Sequence, residues 1–378
     1  MKTSVIRRLP VLGGIAIIGV VLNHAASWGH YAMFLWADRY RPVTAPNWDQ
    51  IGSLPYYILF VLKQLPIFAV PAFIFIAGYF IAYSVQGDEK KVRWKVVKAR
   101  LTYLIIPYLI WSILVFIRDF ILSGTLQTPL SYLVTLLTGG AVGIYYFVPL
   151  LCLLYLFSPI LVYLAKANFK LLLISTIILQ FGLVVFNNFS YSKYLNLVDG
   201  NNPILDQLWV YNPSWSPAWH VFYFVLGIGL GLYLPTFTKY LNRYQPILFI
   251  VLPLAAILNI IESDFLLRVT LNHWGAYLGR LSYHIYATAF ILFFLSLETI
   301  PNSKVLSYVN GKSYGIFLTH VIVIGTVAKI IYNFLPGFLA YAIIITIILF
   351  ILGLALPLIL MEVVRKSPAR RSYRYLFG

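Results

Sequence analysis

This sequence has little charge, few acidic residues and one cysteine, and each scarcity excludes something. Charged residues make up 10% of the 378, and only eleven are acidic. Soluble domains carry about 25% charged residues, so a soluble globular protein is excluded. The lone Cys152 has no partner within the chain, which removes both a disulfide framework and a cysteine-based metal site. No pair of His or carboxylate residues has metal-ligand spacing and there is no HExxH, so no metal is expected. The absence of a P-loop and of GxGxxG argues against an ATP-driven pump.

What the chain has instead is long apolar runs; hydrophobic residues reach 61%. A run of about 20 residues crosses the hydrocarbon core as a helix. Spans are expected near 10–27, 66–85, 101–123, 144–165, 169–187, 217–235, 246–262, 276–299, 313–334 and 338–363. The apolar segment 54–65, interrupted by Lys63-Gln64 and followed by Pro66, reads as an outer-face helix lying against the bundle. The basic residues alternate: the termini and every second connection hold 20 of the 28 Lys and Arg, most densely at 90–100 and 365–374. Cytoplasmic loops retain Lys and Arg, which predicts an all-α polytopic transmembrane helix bundle of about ten spans with both termini cytoplasmic. The whole chain, 1–378, reads as one integral membrane domain.

The net charge of +17 does not indicate nucleic-acid binding, because the charges sit at helix ends on one face, where anionic lipid headgroups meet them. Trp28, Trp36, Trp94, Trp111, Trp215 and Trp219 gather near the span boundaries as an aromatic belt. The outer loops at 28–54 and 186–216 are rich in Trp, Tyr, Asn, Asp and Pro. They suit either a hydroxylated ligand or simple interfacial anchoring. Met1–Arg8 and the apolar run after it also have the form of a signal peptide; retention of this first helix is expected, since it carries His24.

Ionisable groups inside membrane helices are functional candidates by default. His24, preceded by Asn23, lies near the outer end of the first span, where a neutral imidazole is suited to proton transfer. It reads equally as an interfacial histidine bonded to a neighbouring helix. His320 lies deep in the ninth span and needs a partner in the bundle, whether for packing or for a site. His220 and His284 are weaker candidates, nearer the boundaries. The basic cluster Asp88–Arg100 reads as a topology signal, or more sharply as a cytosolic polyphosphate site such as the nucleotide end of coenzyme A.

Five strings, taken in order, resemble the membrane acyltransferase-3 family, polytopic O-acyltransferases acting on glycans and other envelope molecules. Gly14-Ile-Ala-Ile-Ile-Gly-Val-Val-Leu-Asn-His24 is similar to a first helix ending on a catalytic His. Val70-Pro-Ala-Phe-Ile-Phe-Ile-Ala-Gly-Tyr79 resembles the second-helix signature, and Arg100 through Pro107-Tyr108 to Trp111 the third. Tyr145-Tyr-Phe-Val-Pro-Leu-Leu, Tyr155-Leu156 and Ser158-Pro-Ile-Leu161 resemble the fourth. Tyr314-Gly-Ile-Phe-Leu-Thr-His320 looks like a late motif ending on His. Two positions depart from the pattern: Gly13 stands where the family usually has Arg, and Ala77 where it has Ser.

The resemblance implies transfer of an acyl group, acetyl in the first instance, from cytosolic acyl-CoA to a hydroxyl of a glycan, glycolipid or related acceptor at a bacterial inner membrane. His24 is the implied general base or transient acyl carrier, with Asn23 or Tyr79 as oxyanion donors and His320 as a supporting or acceptor-side residue. With Gly13 in place of Arg, the phosphate role passes to Arg7, Arg8, Lys98 or Arg100. The rival reading is a non-enzymatic polysaccharide exporter or accessory subunit, which Gly13 and Ala77 favour. Oligomeric state is left open.

Overall fold

The computed structural model describes residues 2–85, 92–194, 213, 215–271, 279–300 and 303–378, and among them every regular element is helical. Helix α1 (Lys2–His30) is apolar around its circumference, with Leu9, Leu12, Ala16, Ile17, Val21 and Ala25 all closed off from the surface. A helix without a polar stripe belongs inside a bundle, and the other elements gather around this one. The chain leaves α1 through a π turn, Tyr31–Leu35, and two short 3-10 turns before α2 (Leu54–Gln64).

The structure corrects the reading of 54–65. α2 does not lie apart on the outer face; it runs through a 3-10 turn at Leu65–Phe68 into α3 (Ala69–Tyr83), giving one apolar path, Leu54–Tyr83, long enough to cross a membrane. Pro66 lacks the N–H an α-helix would use, and the tighter turn carries the chain past it. The path descends antiparallel to α1: Leu59 meets Gly29, Lys63 meets Asn23, and Pro66 meets Gly19. Lys63 and Gln64, which look like an interruption in the sequence, are buried.

After α4 (Trp94–Ser123) and α5 (Pro129–Thr138), α6 (Phe147–Tyr194) contains a break at Asn168, whose backbone is extended (φ −156°, ψ 89°). The Asn168 side chain accepts a hydrogen bond from the Leu171 N–H at 3.0 Å, capping the second limb. The limbs run in opposite directions against α7 (Val221–Leu232). On the first, Tyr155 meets Phe224 and Ala165 meets Tyr233. On the second, Phe169 meets Tyr233, and Gln180 reaches the same histidine as Tyr223. The chain therefore reverses at Asn168, as the separate runs 144–165 and 169–187 require.

The remaining helices are α8 (Leu234–Thr270), α9 (Leu281–Ser296), α10 (Ser303–Asn310), α11 (Ser313–Phe334), α12 (Ala342–Lys366) and α13 (Tyr373–Phe377). Seven stretches among the described residues are long and apolar enough to cross a membrane. α7 and α9, at 12 and 16 residues, extend about 18 and 24 Å, short of the roughly 30 Å core. Leucines, isoleucines and phenylalanines on α4, α6 and α8 stay exposed, for example Ile121, Ile178 and Phe249. They form the belt that lipid tails cover. The chain is an integral membrane protein of the all-α class.

Two close crossings set the helix positions. A Cβ on Gly78 would strike the Phe224 carbonyl, and one on Gly227 the Phe75 carbonyl, so α3 and α7 touch backbone to backbone. At the other, Gly13 and Gly14 admit α10: a side chain on Gly14 would meet the Leu306 carbonyl, and one on Gly13 the Asn310 amide. Gly14 thus sets a backbone-to-backbone approach, while a side chain at position 13 would have to displace the Asn310 amide.

Candidate active site

A cavity of about 470 Å³ opens beside the C-terminal half of α1. Asn23, His24, Ser27 and Trp28 face it from α1, Lys63 from the end of α2, and Phe317 from α11. Its floor is aromatic, because Phe147 at the start of α6 packs edge-on against both Phe73 (6.3 Å) and Phe317 (5.5 Å). Its mouth is aromatic too. Trp28 lies 5.2 Å from both Tyr31 and Trp36, and Trp36 lies 4.7 Å from Tyr332, over which the Arg39 guanidinium sits at 4.6 Å. Trp28, Tyr31 and Trp36 belong to the segment 28–54, so the aromatic loop of the sequence is partly a wall of the cavity, while Tyr332 comes from α11.

The polar groups are fixed by the helices that carry them. Asn23 donates from its amide to the Lys63 carbonyl at 2.6 Å, joining α1 to α2 and leaving its second N–H for other use. Ser27 turns its hydroxyl hydrogen back to the Asn23 carbonyl at 2.9 Å. His24 has no hydrogen bond among the described residues; its ring stands 5.4 Å from that of His320, centroid to centroid. His320 is fully buried, and its Nδ1 donates to the Ile316 carbonyl at 2.8 Å. A carbonyl only accepts, so that contact puts the His320 proton on Nδ1 and the lone pair on Nε2. Two imidazoles, an amide, an ammonium and a hydroxyl thus converge at membrane depth inside an aromatic shell.

The family model described as an acyltransferase domain matches residues 9–362, nearly the whole chain. The chain belongs to the acyltransferase-3 family. No curated protein and no solved structure matches it.

Against the expectations for an acyltransferase-3 protein, the structure brings His24, Asn23 and His320 together and leaves Tyr79 apart. Tyr79 is buried on α3, stacks on Tyr83 and packs against Gly231 at the end of α7, more than a helical turn beyond Phe73 and off the cavity wall. Its expected place as an oxyanion donor beside His24 is therefore corrected: its ring lies against Phe80 and Tyr83 and is not part of the cavity lining. Lys63, read only as an interruption, occupies the wall instead. The signal for it was present, because a lysine within an apolar run costs about 2.5–3.5 kcal/mol at membrane depth and faces protein or water.

The candidate phosphate-binding residues separate into two kinds. Arg8 is buried and donates to the Leu295 carbonyl at the end of α9, so it closes a helix end. Arg7, Lys98 and Arg100 are exposed, with the Arg100 guanidinium 5.7 Å from the Phe80 ring. All four belong to the end of the bundle remote from the cavity; Arg8 precedes His24 by sixteen helical residues, about 24 Å. Lys90 and Lys91 and most of the loop 186–216 lie outside the described residues. His220 precedes the first residue of α7 and His284 lies in the first turn of α9, as read from the sequence. Both are buried, and His284 is held between the Tyr223 hydroxyl (Nδ1, 2.9 Å) and the Gln180 amide (Nε2, 3.1 Å).

Proposed function

We propose that this protein moves an acyl group, acetyl in the first instance, from cytosolic acyl-CoA to a hydroxyl of a glycan, glycolipid or related envelope acceptor. The observation that carries the reading is His24: an imidazole free of hydrogen bonds among the described residues, on the wall of an aromatic cavity, in a chain of this family. An alcohol must lose its proton as it attacks a thioester, and neutral imidazole is the base suited to that near neutral pH. Lys63 and the second Asn23 N–H supply charge and a donor for the oxyanion that develops on the thioester carbonyl. The Trp28–Tyr31–Trp36 mouth offers flat apolar faces of the kind on which sugar rings stack.

The bacterial inner membrane is the proposed location, with both termini and the basic rim in the cytoplasm among anionic headgroups. In that orientation Arg7, Lys98 and Arg100 meet the nucleotide phosphates on one side, and the thioester reaches His24 through the bundle. Purified full-length protein in lipid nanodiscs should release thiol from acetyl-CoA, and a His24→Gln variant that inserts normally should not. If the wild type releases no thiol from any of several acyl-CoA chain lengths, with or without sugar acceptors, the transferase reading fails and the non-enzymatic exporter takes its place.

A further inference from the structure

We infer that His320 is a positioning residue for His24: its Nε2 accepts a hydrogen bond from one His24 ring N–H and so holds the other ring nitrogen toward the cavity as the base. This rests on the reading of His24 as the base in acyl transfer.

Three observations point to the pair. His320 Nε2 is buried with no hydrogen-bond partner among the described residues, although its ring is anchored through Nδ1. A buried nitrogen without a partner carries an uncompensated desolvation cost, so its position calls for a donor. The ring facing it is His24, with the planes tilted by 47°. Two imidazoles bonded nitrogen to nitrogen at about 3 Å, plus two ring radii, have centroids about as far apart as these. In the inferred pairing the His24 ring rotates to bring one nitrogen within hydrogen-bond reach of His320 Nε2. The third observation is the anchor itself: with Nδ1–H committed to Ile316, His320 offers only a lone pair, so it accepts from His24 and does not compete with it for the acceptor's proton.

The arrangement follows the logic of a nucleophile–base–orienter series, with a neutral imidazole in the place a carboxylate often takes. Membrane depth favours this choice, because a carboxylate there adds a charge that needs its own partner. In the reaction, the acceptor hydroxyl proton passes to the open nitrogen of His24 as its oxygen bonds to the thioester carbonyl carbon. The C–S bond then breaks and His24 returns the proton to the departing thiolate, giving ester and free thiol. His320 neither gains nor loses a proton; its hydrogen bond strengthens while His24 is positively charged.

The test compares His320→Gln with His320→Leu in the full-length protein in nanodiscs, with acetyl-CoA as the probe. Gln carries a carbonyl oxygen that accepts the same N–H; Leu has similar bulk and no acceptor. The Leu variant should lose kcat by on the order of 10²-fold, less than the 10⁴-fold seen when a charged orienter is removed, at unchanged KM for acetyl-CoA. The Gln variant should keep most of the rate. Carbethoxylation of His24 by diethyl pyrocarbonate, followed by mass spectrometry, should slow several-fold in Leu and little in Gln. A Leu variant equal to or better than Gln in both measurements overturns the proposal, because packing alone favours Leu. If His24→Gln is inactive while Leu matches wild type, only the pairing fails. If His24→Gln is active, the base reading fails with it, and if the wild type releases no thiol, the labelling rates alone decide the pairing. Should Leu not insert, His320→Ala is used with added imidazole, where restored thiol release supports the proposal and its absence overturns it.

Discussion

Among the described residues, the surroundings of His284 and of the His24–His320 pair are built in different ways. His284 has both ring nitrogens occupied, by Tyr223 and Gln180, in the packed interior between α6, α7 and α9. His24 and His320 form the other centre, where one nitrogen is anchored to a helix carbonyl and the rest face each other or a cavity. His284 and His320 are both buried, so burial by itself does not separate the two centres. Unspent hydrogen-bonding capacity beside open volume does. The same distinction divides the arginines, since Arg8 is committed to the Leu295 carbonyl while Arg100 remains exposed.

Substituting both histidines tests this contrast most directly. His24→Gln should lower acyl transfer by about 10²–10⁴-fold, the usual cost of removing a general base, with little change in thermal stability. His284→Gln should keep transfer within a few-fold of wild type and lower the melting temperature, since it disturbs a satisfied buried network. Thiol-release kinetics and thermal unfolding of the same preparations give both values. Equal effects of the two substitutions on transfer would erase the distinction.

Next in size is Lys63→Met, which keeps the bulk and removes the ammonium. If the lysine stabilises the oxyanion, kcat should fall by about 10²-fold at unchanged KM for acetyl-CoA; a change in KM alone would make it a binding residue. Arg100→Ala should raise the acyl-CoA concentration needed for turnover about tenfold or more, as loss of a charge-assisted contact worth about 1.5–3 kcal/mol requires. Arg8→Ala should instead lower stability, because it leaves a buried carbonyl without its donor. The smallest effect expected is from Trp36→Ala, which removes one face of the aromatic mouth. Stacking worth about 0.5–1.5 kcal/mol gives a rise of a few-fold to about tenfold in acceptor KM, measured with a soluble sugar acceptor, and none in acyl-CoA KM.

Much of the site was legible from residue type and order. His24, Asn23 and His320 stand out as polar groups in apolar runs and lie on strings that resemble the family. Tyr79 and Lys63 show where that kind of reading stops. Both sit on the same stretch of chain, and the apolar pattern does not say which way each points. Lys63 lies on the cavity wall, just before the 3-10 turn at Pro66, whereas Tyr79, beyond it, stacks on Tyr83 away from the cavity. Gly13 is similar: it reads as a missing arginine in the sequence and lies against the Asn310 amide at the end of α10 in the structure.

The sequence by itself determined that this is an all-helical membrane protein, where its apolar segments lie, which ends of them carry the basic charge and which family its motifs belong to. Each of these depends on hydropathy and composition along short stretches, since lipid demands apolar length and internally satisfied backbone wherever the chain crosses it. Only the tertiary structure decided that 54–65 continues the second helix path, that Lys63 shares a cavity with His24, and that His320 stands beside the His24 ring. The physical reason is that these contacts depend on helix rotation and crossing, which are set by the close approach of backbones at glycines and by where a proline or an extended residue interrupts a helix. A change of one residue in register would turn the same side chains to lipid.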